Sequence, residues 1–242
     1  MSERSDPPRR VFLKRTVALV PASALAAAGA SATSQGHATQ PGVSAAPPVE
    51  PYSPRFFTAP EWAFINAACS RLVPEDDSGP GAVTLQVPEF IDRQMEDAYG
   101  HAARWYMQGP FVEDAPPELG YQSRQTPREL YRRGMAATDA ACRRRHGQPF
   151  AQLAAPDQDA MLTGMADGKI GQPEDRLDRF FAFLWQNVKE GYLADPIHGG
   201  NHHMGSWQML GFPGARASYT EWSQRHNESY PLGPVSISGQ RG

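Results

Sequence analysis

Asp195, His198, His202 and His203 lie within nine residues of one another and have the side chains of a metal site. Two imidazoles four residues apart share one face of a helix, and with a carboxylate beside them they can hold a metal for a metal-dependent enzyme. The residues between them oppose that reading. Asp195-Pro196 and Gly199-Gly200 break helical geometry, so the spacing loses its usual meaning and histidines of a loop or an interface are the plainer account. Six glycines from Gly191 to Gly214 raise a second chemistry, a loop that cradles phosphate. No strand pattern precedes them, their spacing fits neither the dinucleotide nor the Walker motif, and no lysine follows. They serve better as points where the backbone turns sharply or approaches another segment closely.

Cys69 and Cys142 are the only cysteines. They are too few for a four-thiolate zinc site or an iron–sulfur cluster, and the chain has no C-x-x-C-H for covalent haem. In an oxidising compartment they form a candidate disulfide, within the chain or to a partner. The acidic groups Glu75-Asp76-Asp77 and Glu174-Asp175 fall at turns and helix starts, where solvation and capping account for them. No catalytic, metal or cofactor-binding residue is therefore assigned. The enzyme alternative is a metal-dependent one built on Asp195, His198, His202 and His203.

The elements that hold these residues read as helices. Thr58-Ala59-Pro60-Glu61 and Thr126-Pro127-Arg128-Glu129 have the form of capping boxes. The first precedes a stripe of Trp62, Ile65, Cys69 and Leu72 that ends before Pro74; the second precedes Leu130, Tyr131, Met135, Thr138 and Cys142, ending at Gly147 after the basic turn 143–146. Another helix starts at Val87-Pro88-Glu89 and runs through Phe90, Ile91, Met95 and Ala98 to Gly100. A shorter one runs from Pro156 through Met161, Leu162 and Met165 to Gly168. The most apolar segment, Leu177 to Gly191, is either the central helix or one with a second face covered by a partner. Between Gly109 and Gly120 the Pro and Gly density predicts a long loop anchored by Phe111 and Leu119. Nothing alternates with period two, which predicts an all-α single domain with long Pro/Gly-rich loops over residues 55–228 and a flexible tail over 229–242.

The 242 residues carry 23 Lys plus Arg and 26 Asp plus Glu, a formal net charge of −3, which excludes nucleic acid as an electrostatic partner. The first 38 residues hold five of the basic groups and two of the acidic ones; without them 18 and 24 remain, a net of −6. That opening stretch resembles a twin-arginine export signal, with Arg9 and Arg10 followed by Phe12, Leu13 and Lys14 and then an Ala-rich stretch too short and weakly apolar for a membrane span. Cleavage after Ala32 or after Ala38 satisfies the small-residue rule equally. Residues 39–54 hold five prolines and one charge, which predicts a disordered linker.

The most distinctive segment is Gly191-Tyr192-Leu193-Ala194-Asp195-Pro196-Ile197-His198-Gly199-Gly200-Asn201-His202-His203-Met204-Gly205-Ser206-Trp207-Gln208-Met209-Leu210-Gly211-Phe212-Pro213-Gly214-Ala215. It resembles the gluconate 2-dehydrogenase subunit 3 family, as do Trp105-Tyr106-Met107-Gln108-Gly109-Pro110-Phe111 and Gly120-Tyr121-Gln122-Ser123 with Thr126-Pro127 and Leu130-Tyr131. The doublet His202-His203 departs from the family pattern. The resemblance implies a small, non-catalytic subunit that binds a large FAD-containing dehydrogenase subunit in the periplasm. It further implies that this subunit helps its partner mature and supplies the signal read by the twin-arginine export machinery. A cytochrome c subunit with haem c would complete a membrane-associated complex feeding the respiratory chain. FAD and haem then belong to partners, and none to this chain. Tyr192, Asp195, Pro196, Gly199, Gly200, Asn201, Trp207, Gly211, Phe212, Pro213 and Gly214 are the expected partner interface, with exposed parts of the 177–190 helix.

Overall fold

The computed structural model describes residues 52–112 and 115–242; the export signal expected over 1–38 and the linker up to residue 51 lie outside the described residues. Six α-helices and no strand occur among the described residues, in agreement with the all-α expectation: α1 (Ala59–Leu72), α2 (Val87–Glu96), α3 (Pro127–His146), α4 (Ala155–Ala166), α5 (Leu177–Leu193) and α6 (Gly205–Leu210). None of them is long and apolar enough to cross a membrane.

Local chemistry accounts for where the helices begin and end. Glu61 reaches back to accept from the amide and the hydroxyl of Thr58, each at 2.8 Å, and Glu129 does the same for Thr126 at 2.8 and 3.0 Å. Gly147 closes α3 in the left-handed region at φ 75°, behind four basic residues that suit the negative end of the helix dipole. Helix α2 stops at Glu96, four residues before Gly100, because the chain turns sharply there and the Gly100 amide bonds back to the Gln94 carbonyl at 2.9 Å.

Helix α5 is the axis of the core. It packs against α1, α2, α3, α4 and α6, and its Phe180, Leu184 and Val188 are fully buried. Its exposed positions before the last turn, Asp178, Ala182, Gln186 and Glu190, recur every four residues and offer no large apolar side chain, whereas Leu193 at its end is exposed. The central-helix reading of this segment holds. A run of rings crosses the core, with Phe64 4.6 Å from Phe150, and Tyr131 5.3 Å from Phe180 and 6.2 Å from Phe57. Burial of each such side chain contributes about 1.5–3 kcal/mol. Where α3 meets α5 the core becomes polar: the Tyr131 hydroxyl donates to Asn187 at 2.7 Å, and Asn187 donates to Tyr99 at 3.1 Å and to Glu190 at 3.0 Å. Burial pushes the Tyr131 phenol well above its ordinary range.

Several expectations need correction. Residues 52–54, expected to belong to the linker, are part of the fold, because Asp92 on α2 is fully buried and accepts from the Tyr52 hydroxyl at 2.7 Å and from the amides of Arg55, Phe56 and Phe57 at 2.7, 3.1 and 2.9 Å. Leu119 does not anchor its loop; it is exposed, and the loop is held instead by Trp105 and Tyr121, which pack on each other and on Phe183. Cys69 and Cys142 are free thiols rather than a disulfide. Each fills a core position on its own helix, α1 or α3, and neither sulfur is accessible to a partner. Burial pushes both thiols up, Cys142 to about 11, which leaves them unreactive at neutral pH. Residues 229–242 are not a free tail, as described below.

Asp92→Ala would leave the two buried amides of Phe56 and Phe57 without an acceptor, at roughly 1–3 kcal/mol each. Chemical denaturation should show a loss of about 2–4 kcal/mol, with Asp92→Asn in between; a loss below about 0.5 kcal/mol would mean that the 52–57 segment is not held through this carboxylate.

Candidate functional site

The glycine-rich segment begins where α5 ends, and its first task is to satisfy that helix's last carbonyls. Trp207 donates from its indole nitrogen to the Leu193 carbonyl at 2.8 Å, and Asn201 donates from its amide to the Ala194 carbonyl at 2.9 Å. Asn201 is fully buried in the left-handed region at φ 47°, and its carbonyl oxygen accepts from the Ser206 amide at 3.0 Å and hydroxyl at 2.8 Å. That bond starts α6, a short helix the sequence reading did not anticipate. Asp195 accepts from the Ile197 amide at 3.1 Å, which caps the single turn Pro196–His198. Its second oxygen accepts from the Ile237 amide at 2.7 Å.

Residues 233–242 thus form a hook that docks on the loop. Val235 pairs with Gly214 and Arg241, and its carbonyl accepts from the Ala215 amide at 2.6 Å. Two glycines are required by close approach. A Cβ at Gly200 would lie 2.2 Å from the Gly191 carbonyl oxygen, and one at Gly214, where φ is 75°, would lie 2.2 Å from that of Val235. Tyr192 ties the loop to the segment before α2 through the Pro80 carbonyl at 2.9 Å.

The residues of the metal alternative are not brought together. Asp195 has both oxygens committed to amides, and His198 and His203 are exposed. His202 turns toward α2, where its Nε2 lies 3.5 Å from Glu89, a buried carboxylate already paired with Arg93. Among the described residues no group of three or more His, Cys, Asp or Glu is placed to hold a metal. An open cleft of about 570 Å³ between the end of α3 and α4 is lined by Arg145, His146, Asp157, Met161 and Lys169 among others, and no residue of the loop lines it.

Of the expected interface residues, Asp195, Gly199, Gly200, Asn201, Trp207 and Gly214 are buried and build the loop's interior, Tyr192, Pro196 and Pro213 are half-buried, and only Gly211 and Phe212 are exposed. The surface is made by side chains the sequence reading did not single out. Leu193, Ile197, Met209, Leu210 and Ile237 are exposed with Phe212, the two isoleucines at 51% and 66%. They surround one small region: Ile197 and Ile237 bond the same carboxylate, Phe212 packs edge-on to Trp207 at 5.0 Å, and Trp207 holds the Leu193 carbonyl. The available signal was large apolar residues between glycines and prolines, which have no helical or strand period to mark them. Exposed large apolar side chains gathered in one region are the kind of surface that protein contacts use.

The family model described as gluconate 2-dehydrogenase subunit 3 matches residues 59–214. No curated protein and no solved structure matches the chain.

Burial holds the His202 imidazole below its ordinary value of 6.5, against the opposite pull of Glu89. The unfolded chain therefore binds a proton more readily, so this contribution to stability is complete above the ordinary histidine range and is lost as pH falls through it. Denaturation midpoints between about pH 7.5 and 5.5 should fall less for His202→Gln than for the wild type; parallel curves would show that His202 is not linked to folding.

Proposed function

The chain belongs to the gluconate 2-dehydrogenase subunit 3 family, and on that premise we propose that it is the small, non-catalytic subunit of a periplasmic, membrane-associated FAD-dependent dehydrogenase complex. It binds the large flavoprotein subunit, supports its maturation, and carries it through the twin-arginine pathway on the signal around Arg9 and Arg10. Oxidation of a sugar acid belongs to the flavoprotein, and a cytochrome c subunit with haem c passes the electrons onward.

The observation that supports this reading is the division of labour in the loop. Its polar side chains, Asp195, Asn201 and Ser206, are buried and hydrogen-bonded to the loop's own backbone, so they hold shape instead of facing a substrate. Leu193, Ile197 and Phe212 face outward, beside the exposed His198 and His203. A rigid, self-bonded interior that presents large apolar side chains outward suits a macromolecular partner.

Co-expression tests it. With Arg9→Lys and Arg10→Lys in this chain, the flavoprotein should remain in the cytoplasm, followed by fractionation and FAD content; normal export of the flavoprotein would rule out a shared signal.

A further inference from the structure

The family match ends at residue 214, whereas the hook of residues 233–242 lies beyond it and is built into the same surface. Its backbone is secured from four directions. Asp195 accepts the Ile237 amide, Val235 pairs with Gly214, the Ser236 amide donates to the Gln240 carbonyl at 2.9 Å, and Arg216 donates to the Gly233 carbonyl. Pro234 and Ser236 face inward and are buried. Ile237, whose amide is held by Asp195 at 2.7 Å, nevertheless points its side chain into solvent at 66% exposure. A segment fixed this firmly that presents a bare isoleucine is preorganised for contact, because its ordering cost is met within the free chain.

Charge adds a second property. Arg216 beside the hook and Arg241 within it form no ion pair among the described residues, although the chain after residue 38 is net acidic at −6. The one carboxylate in the loop, Asp195, is buried with both oxygens occupied by amides.

We propose that the hook is the second half of the docking face, and that Ile237 joins Ile197 and Phe212 in an apolar centre rimmed by Arg216 and Arg241. It fits a partner surface with an apolar centre and an acidic margin, and the occupant is the flavoprotein subunit. This rests on the reading of the chain as an assembly subunit, and it adds that recognition lies partly in a segment outside the family's shared region.

The test uses the full chain and the purified flavoprotein of the same complex, with affinity measured at about 50 and 500 mM salt. Ile237→Asp and Arg241→Glu alter exposed side chains and should leave the melting temperature unchanged. Ile237→Asp should weaken binding at least about tenfold. Arg241→Glu should weaken it severalfold at low salt, with the difference shrinking at high salt. Wild-type affinity for Ile237→Asp alongside loss for Phe212→Asp would overturn the hook's role and leave the loop reading intact. Failure of the wild-type chain to bind the flavoprotein at all would overturn the parent reading, and this one with it.

Discussion

The carboxylate of Asp195 accepts from two amides forty residues apart, at Ile197 and at Ile237, and through them it fixes both the exit of the central helix and the return of the C-terminal hook. The constraint behind it is general. A loop that is partly buried carries backbone N–H groups that water cannot reach, and each must find an acceptor. Asp195, Asn201 and Asp92 all answer it in the same way, with a short side chain whose oxygens face main-chain amides. Short side chains suit this because they lose little rotamer freedom on burial and place the oxygen close to the backbone that carries them.

The same constraint separates structure from function within the loop. Polar atoms are consumed in holding the chain, and glycines such as Gly200 and Gly214 let backbones approach where any side chain would collide. What faces outward includes the apolar Leu193, Ile197 and Phe212 beside the exposed His198 and His203. A catalytic or metal site needs the reverse arrangement, with uncommitted polar atoms converging on one point. The histidines do not converge, since His202 is drawn to Glu89 while His198 and His203 lie exposed. The loop is thus a cap on α5 whose outer surface is free to make a contact.

Much of the helical frame was legible because its signals are local. The capping boxes at Thr58 and Thr126 depend on residues three apart, and the stripes of α1 and α3 depend on a period of 3.6. What was not legible depends on contacts distant in sequence. Asp92 sits beside Ile91 on α2 and looks like any solvent-facing carboxylate until the 52–57 segment folds onto it. Helix α6 exists because Asn201 bonds Ser206 and was masked by the glycines around it. Leu119 has the composition of an anchor and the position of a surface residue, because Trp105 and Tyr121 fill the adjoining space against Phe183. The interface residues chosen from the motif were the ones that shape it, since glycine, proline, aspartate and asparagine are conspicuous, while Ile197 and Ile237 are ordinary residues made significant by where Asp195 holds them.

The central claim is that the loop after α5 and the hook together form the face that meets the flavoprotein. Hydrogen–deuterium exchange on this chain, free and in complex with that subunit, tests it most directly. The account predicts added protection confined to residues 193–198, 209–214 and 234–238, with the helices of the core unchanged. Protection appearing instead over residues 105–123 or at the cleft between α3 and α4, with the loop and hook unaltered, would contradict it.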